Sequence, residues 1–127
     1  MSEAPPEHSV LVVDDDEAER TALAEVMRHD GFEVALAEDG QQALHALDVG
    51  ALPELVLLDL MMPNVTGWQV LEAMQRTARL ADIPVIVLTS FASPKGLPAG
   101  CRVLHKPFEL DVLLAEVHAL TRASAAS

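Results

Sequence analysis

Only one cysteine, Cys101, occurs in the 127 residues, so no internal disulfide can form and the fold must rest on its apolar core. Positive charge is scarce as well: 8 lysines and arginines stand against 20 aspartates and glutamates, for a formal net charge of −12. So acidic a chain is not drawn non-specifically to nucleic acid or to an anionic membrane surface, and any partner contact must be local. No apolar run approaches the length of a membrane span, and none follows a basic start as a secretion signal would. Internal repeats and an interdomain linker are missing too. These absences describe a soluble, cytoplasmic, single-domain chain in a reducing compartment. His8, His29, His45, His105 and His118 lack metal-ligand spacing and read as surface or half-buried side chains, and Cys101 reads as packing.

Half of the residues are hydrophobic, which excludes disorder and, at this length, allows a full core. Apolar runs of strand length alternate with segments of helical period, the pattern of a βαβ series with a parallel sheet. Strands are predicted over 10–13, 32–37, 55–58, 85–88 and 102–105. Three of these are continuous apolar runs, as strands buried on both faces should be. Helices are predicted over 17–29, 41–49 and 67–77, and a last one carries Leu110, Leu113, Leu114, Val117 and Leu120 at helical spacing. Gly31 suits a left-handed cap at the end of the first helix, and Asp16 with Glu19 three residues on resembles a capping box at its start. The segments 1–9 and 123–127 read as frayed tails around a domain over 10–122. Between Leu88 and Arg102 a fourth helix is due, yet Pro94, Gly96, Pro98 and Gly100 allow only a turn or a one-to-two-turn piece.

In an open doubly wound sheet, ligands bind beyond the carboxyl ends of the strands. Those ends here carry Asp14, Asp15 and Asp16, then Asp59, then Thr89 and Ser90, then His105 and Lys106. Clustered carboxylates repel unless a cation joins them, and hard oxygen ligands with room for water suit Mg²⁺. With a phosphoryl group present, an ammonium such as Lys106 and a hydroxyl such as Thr89 can meet its oxygens, and a carboxylate can act as nucleophile to give an acyl phosphate.

Four ordered motifs then resemble one family. They are Val10-Leu11-Val12-Val13-Asp14-Asp15-Asp16, Leu57-Leu58-Asp59-Leu60-Met61-Met62-Pro63 with Gly67, Val85-Ile86-Val87-Leu88-Thr89-Ser90, and Lys106-Pro107-Phe108. Together they resemble the receiver domains of bacterial two-component response regulators, chemotaxis-regulator-like, over nearly the whole chain. The resemblance implies an α/β fold: a doubly wound, flavodoxin-like, five-stranded parallel sheet of order 2-1-3-4-5, here with a shortened or missing fourth helix. It implies Asp59 as the phosphorylation site, and Asp14, Asp15, Asp59 and the backbone carbonyl of Met61 as ligands of Mg²⁺. Thr89 becomes the switch hydroxyl, Lys106 the phosphate-pairing lysine, and the Lys106–Pro107 peptide cis. The implied partner is a sensor histidine kinase or a phosphotransfer protein, and the chain is no enzyme beyond its own phosphorylation and dephosphorylation.

Taken singly, each of these residues has a plainer reading. Asp14, Asp15 and Asp59 are turn formers or helix caps, Thr89 a strand end, Lys106 a solvated charge, and Pro63 with Gly67 a chain turn. Their joint occurrence favours the site. The alternatives are a pseudo-receiver that only binds partners, a hydrolase using an aspartyl phosphate, and a flavin carrier. Leu60 and Met61 supply no second acid or base for the hydrolase, and Asp14 to Asp16 would repel a flavin phosphate. The resemblance also implies that the side chains two beyond Asp59 and two beyond Thr89 lie near the path of an attacking water; here they are Met61 and Phe91, bulky and apolar, which predicts slow self-dephosphorylation. Receivers commonly place an aromatic residue three before the lysine, and here Val103 stands there. With no ring to swing and no full fourth helix, phosphorylation is expected to act mainly on the loop from Ser90 to Gly100 and to leave the protein monomeric. The chain is either a stand-alone regulator or a receiver cut from a larger protein.

Overall fold

Successive side chains of a strand point to opposite sides of the sheet, and here both sides are apolar. The computed structural model describes residues 9–98 and 101–126, with side chains as far as residue 121. In chain order the elements are β1 (Ser9–Val13), α1 (Glu17–His29), β2 (Glu33–Ala37), α2 (Gly40–Val49), β3 (Leu55–Asp59), α3 (Gly67–Arg76), β4 (Val85–Thr89), β5 (Arg102–His105) and α4 (Leu110–Ala126). The five strands form one parallel sheet in the order β2-β1-β3-β4-β5. The predicted α/β doubly wound architecture is therefore present.

Central strands β3 and β4 are buried along their whole length, while the edge strands β2 and β5 are largely exposed. Val10 and Val12 of β1, Leu55 and Leu57 of β3, and Ile86 and Leu88 of β4 pack with Leu23 and Met27 of α1 and Leu113 and Val117 of α4. Their neighbours Leu11, Val13, Val56, Leu58, Val85 and Val87 pack on the other side with Ala43 and Leu47 of α2 and Val70, Leu71 and Met74 of α3. Each fully buried Leu or Val side chain contributes about 1.5–3 kcal/mol relative to exposure. The two half-cores together fix the register, because a one-residue slip would exchange the faces.

Gly31 takes φ +98°. The Phe32 N–H donates to the Met27 carbonyl at 3.0 Å and the Gly31 N–H to the Arg28 carbonyl at 3.0 Å, the two bonds of a Schellman ending. Phe32, predicted as the first residue of a strand, is thereby used to close α1, and β2 begins one residue later. At the other end of α1 the predicted capping box forms only by half. Asp16 Oδ1 accepts from the Glu19 N–H at 3.0 Å, but the Asp16 N–H donates to Asp14 Oδ1 at 2.9 Å and the Glu19 side chain turns elsewhere. A complete box stands instead at α3, between Thr66 and Gln69.

Ser9, read as tail, opens β1, and the helix α4 runs through Ala126, into the segment expected to fray. The small residues there include alanines, the best helix formers. The remaining predicted tail residues, 1–8 and 127, lie outside the described ones, as do 99 and 100.

The described residues between β4 and β5, 90–98 and 101, contain bends and no helix. They are held as a loop by specific contacts. The Phe91 N–H donates to Thr89 Oγ1 at 3.0 Å, the Trp68 indole N–H to the Lys95 carbonyl at 2.6 Å, and His105 Nε2 to the Ala92 carbonyl at 2.9 Å. The rings of Phe91 and Trp68 lie 6.0 Å apart at 37°. Leu97, Cys101 and Val103 pack, half-buried, against the core on the α2 and α3 side.

Candidate functional site

Parallel pairing sends the carboxyl ends of all five strands to one edge, and the register sets which residues meet there. Asp59 lies opposite Leu88, and Thr89 opposite His105. The chain leaving β1 is pinned by the Asp14 N–H, which donates to the Ala37 carbonyl at 3.1 Å. Asp14 is fully buried and Asp15 beside it is exposed. Asp59 ends β3, 6% exposed, with its Oδ1 accepting from the Met61 N–H at 3.2 Å. Carboxylate oxygens of Asp14, Asp15 and Asp59 lie within 4.8 Å of one another.

Gly67 shapes the turn that follows Asp59. Its N–H donates to the Leu60 carbonyl at 3.0 Å, and a Cβ there would come within 2.6 Å of the Asp59 carbonyl oxygen and 2.7 Å of Leu60 Cα. Glycine is required at this position because the start of α3 presses on the backbone that carries Asp59. Asn64, in the same turn, adopts φ 66°, a left-handed conformation that asparagine tolerates.

Lys106 follows β5. Its N–H donates to the Thr89 carbonyl at 2.7 Å, and the peptide to Pro107 is cis, as the resemblance implies. The Lys106 ammonium lies 2.6 Å from Glu19 Oε1, 3.7 Å from Asp59 Oδ1 and 4.0 Å from Asp14 Oδ2. Thr89 is buried at the end of β4, with its hydroxyl oxygen taken by the Phe91 N–H. Met61 is 57% exposed and meets Asp59 through its backbone. Phe91 is partly exposed, its ring against Trp68.

Crowding of like charges shows in the acidities. Asp14 is pushed up to about 8, first by burial and then by the Glu19 side chain and the Asp59 charge. Burial also raises Asp59, against the opposing pull of Lys106 and the Met61 N–H. Glu19 is lowered by the Asp14 side chain first and by Lys106. For Lys106, burial pulls downward, but Glu19, Asp59 and Asp14 together outweigh it and raise the ammonium. Asp14 Oδ2 is buried with no hydrogen-bond partner among the described residues. An orphaned carboxylate oxygen beside two further carboxylates is a donor set that a small, hard cation fits.

Two residues of this arrangement escaped the sequence reading. In the sequence Glu19 reads as part of a capping box, and nothing there singles out Arg20, whose Nη1 donates to the Asp14 carbonyl at 2.8 Å. The available signal was the run Asp14-Asp15-Asp16 followed by Glu19 and Arg20, but it did not show that the first turn of α1 would face Lys106, 87 residues away.

Comparison with known proteins places this geometry. Residues 10–118 match the response regulator receiver domain. The chain is 41% identical over 118 residues to the response regulator MprA of Mycolicibacterium vanbaalenii, covering 89% of this chain and 50% of that protein. It is 37% identical over 118 residues to the DNA-binding dual master transcriptional regulator RpaA of Synechocystis, covering 89% of this chain and 48% of that one. The chain thus spans about half the length of the curated relatives it matches. Among solved structures, the chemotaxis protein CheY4 of Vibrio cholerae superposes with a TM-score of 0.80 at 28% identity, covering 89% of this chain and 98% of that one. The receiver domain of the Francisella response regulator 1452 gives 0.82 at 28% identity, covering 92% and 98%. The chain belongs to the response regulator receiver domains, the phosphoryl-accepting modules of two-component signalling.

Proposed function

We propose that Asp59 is the phosphoryl acceptor, with Lys106 and Thr89 serving the transferred group and Asp14, Asp15, Asp59 and the Met61 carbonyl holding Mg²⁺. The observation that carries the proposal is the buried Asp14 Oδ2, without a hydrogen-bond partner among the described residues, in a cluster where Asp59 already has a Lys106 ammonium 3.7 Å away. When bound, the ion supplies positive charge for the carboxylates and for phosphoryl oxygens.

In this reading an Asp59 carboxylate oxygen attacks the phosphorus of a donor, and the bond from phosphorus to the donor atom breaks. The leaving group keeps the electron pair and Asp59 becomes an acyl phosphate. The Met61 N–H, which donates to Asp59 Oδ1 at 3.2 Å, helps to orient the carboxylate. Lys106 offers an ammonium to the phosphoryl oxygens, and the Thr89 hydroxyl follows by leaving Phe91. The donor is a sensor histidine kinase or phosphotransfer protein, the compartment is the cytoplasm, and the only catalysis is the domain's own phosphorylation and dephosphorylation. No described helix is long and apolar enough to cross a membrane.

Incubation with Mg²⁺ and phosphoramidate, followed by intact mass, tests the acceptor. One phosphoryl adduct in the wild type and none in Asp59→Asn is the expected result. An undiminished adduct in Asp59→Asn refutes the assignment.

A further inference from the structure

We propose that Glu19 is a latch that holds Lys106 in the resting state and competes for its ammonium with a phosphoryl group on Asp59. The inference rests on Asp59 being the acceptor. Of the three described carboxylates around the ammonium, Glu19 alone is within hydrogen-bond distance, at 2.6 Å, while Asp59 and Asp14 stand off at 3.7 and 4.0 Å.

The position of Glu19 is set by its surroundings. Asp16 caps α1 through the Glu19 backbone N–H, which leaves the side chain free, and the Asp16 N–H that a capping box would offer it is already bonded to Asp14. Arg20, the next residue, is tied to the Asp14 carbonyl at 2.8 Å and so fixes the rotation of the helical turn that presents Glu19. The Lys106 side chain is 17% exposed, so its bond to Glu19 is only partly screened by water.

Phosphoryl oxygens on Asp59 gain a full charge-assisted bond from Lys106 when the ammonium is drawn off Glu19. The latch therefore opposes the phosphorylated form, and its removal favours that form. Shortening the side chain by one methylene, Glu19→Asp, keeps the charge but withdraws the carboxylate. Glu19→Gln keeps the length and removes the charge. Both retain the backbone N–H that Asp16 caps.

The test is titration calorimetry of the full chain with beryllofluoride in Mg²⁺, for wild type, Glu19→Asp, Glu19→Gln and Asp59→Asn. Both Glu19 variants are expected to bind about three- to tenfold more tightly than wild type. Tightening in Glu19→Gln alone would reduce the effect to one less negative charge and overturn the latch, and unchanged or weaker binding in both would do the same. A nitrogen-detected signal of the Lys106 ammonium, protected from exchange in wild type and lost in both variants, is the second expected result; equal protection in Glu19→Asp counts against the latch. Wild-type protein that binds no beryllofluoride, or Asp59→Asn that binds it equally, removes the Asp59 assignment and the latch with it.

Discussion

The indole N–H of Trp68 donates to the carbonyl of Lys95 across 2.6 Å, and so ties α3 to the loop that occupies the place of a fourth helix. The same ring meets Phe91, whose N–H holds the Thr89 hydroxyl. If Thr89 turns toward a phosphoryl group, Phe91 loses that acceptor and the contact with Trp68 is disturbed. Trp68 is the only tryptophan of the chain, so its emission reports this step. Beryllofluoride with Mg²⁺ should shift the emission, and Phe91→Ala should diminish the shift. Amide exchange should change most in residues 90–98; changes confined to α1 would reject the loop as the switch. Val103 offers no ring to remodel the face near β5, so light scattering should find a monomer with and without the mimic.

Mg²⁺ should stabilise the fold, and more so as pH rises. Asp14 is raised from 3.8 to about 8 in the metal-free protein. A folded-state value above the unfolded one favours folding while the group is protonated, and that advantage is lost as pH climbs from about 4 through 8. Metal-free protein should therefore melt lower at pH 8 than at pH 6. Mg²⁺ at ten times its dissociation constant should restore about 1.4 kcal/mol, roughly 5 °C. Thermal melts at both pH values check this, and an equal gain in the Asp14→Ala/Asp15→Ala double mutant would remove these residues as ligands.

Gly67→Ala should destabilise the domain by about 1–3 kcal/mol, because the new methyl has only backbone to push against, at 2.6 and 2.7 Å. Urea unfolding measures the loss. Displacement of Asp59 should also slow phosphorylation by phosphoramidate, whereas a variant with wild-type stability and rate would show that the α3 turn shifts at no cost.

Met61 is 57% exposed immediately beyond the Asp59 turn and has no group that can hold a water. Met61→Glu should shorten the life of the phosphorylated form, roughly tenfold, by adding a carboxylate able to orient an attacking water. Decay followed by intact mass after donor removal provides the rate, and an unchanged lifetime would reject shielding by Met61.

Much of the fold is legible in local chemistry. Alternation of strand-length runs with helical period yields the layers, because a chain buries its apolar residues at the spacing its backbone repeats. Gly31 announces the end of α1 because few other residues take φ +98° at so little strain. Strand ends carrying Asp14, Asp59, Thr89 and Lys106 are likewise readable, since parallel strands must deliver their carboxyl ends to one edge.

Local pattern could not decide between two uses of the same residue. Glu19 stands three residues after Asp16, which suits a capping box, but Lys106 arrives from β5 and offers a full positive charge at 2.6 Å. Trp68 looks like one more apolar residue of a helix until its N–H is seen on Lys95. The sequence alone determined which elements form and which chemical groups reach the sheet edge, because periodicity and turn chemistry act over a few residues. Only the tertiary structure decided that Glu19 turns to Lys106, that Asp14 Oδ2 has no hydrogen-bond partner among the described residues, and that Trp68 pins the loop after β4. Each of these depends on the distance between groups far apart in the chain, and electrostatic and hydrogen-bond energies are set by that distance.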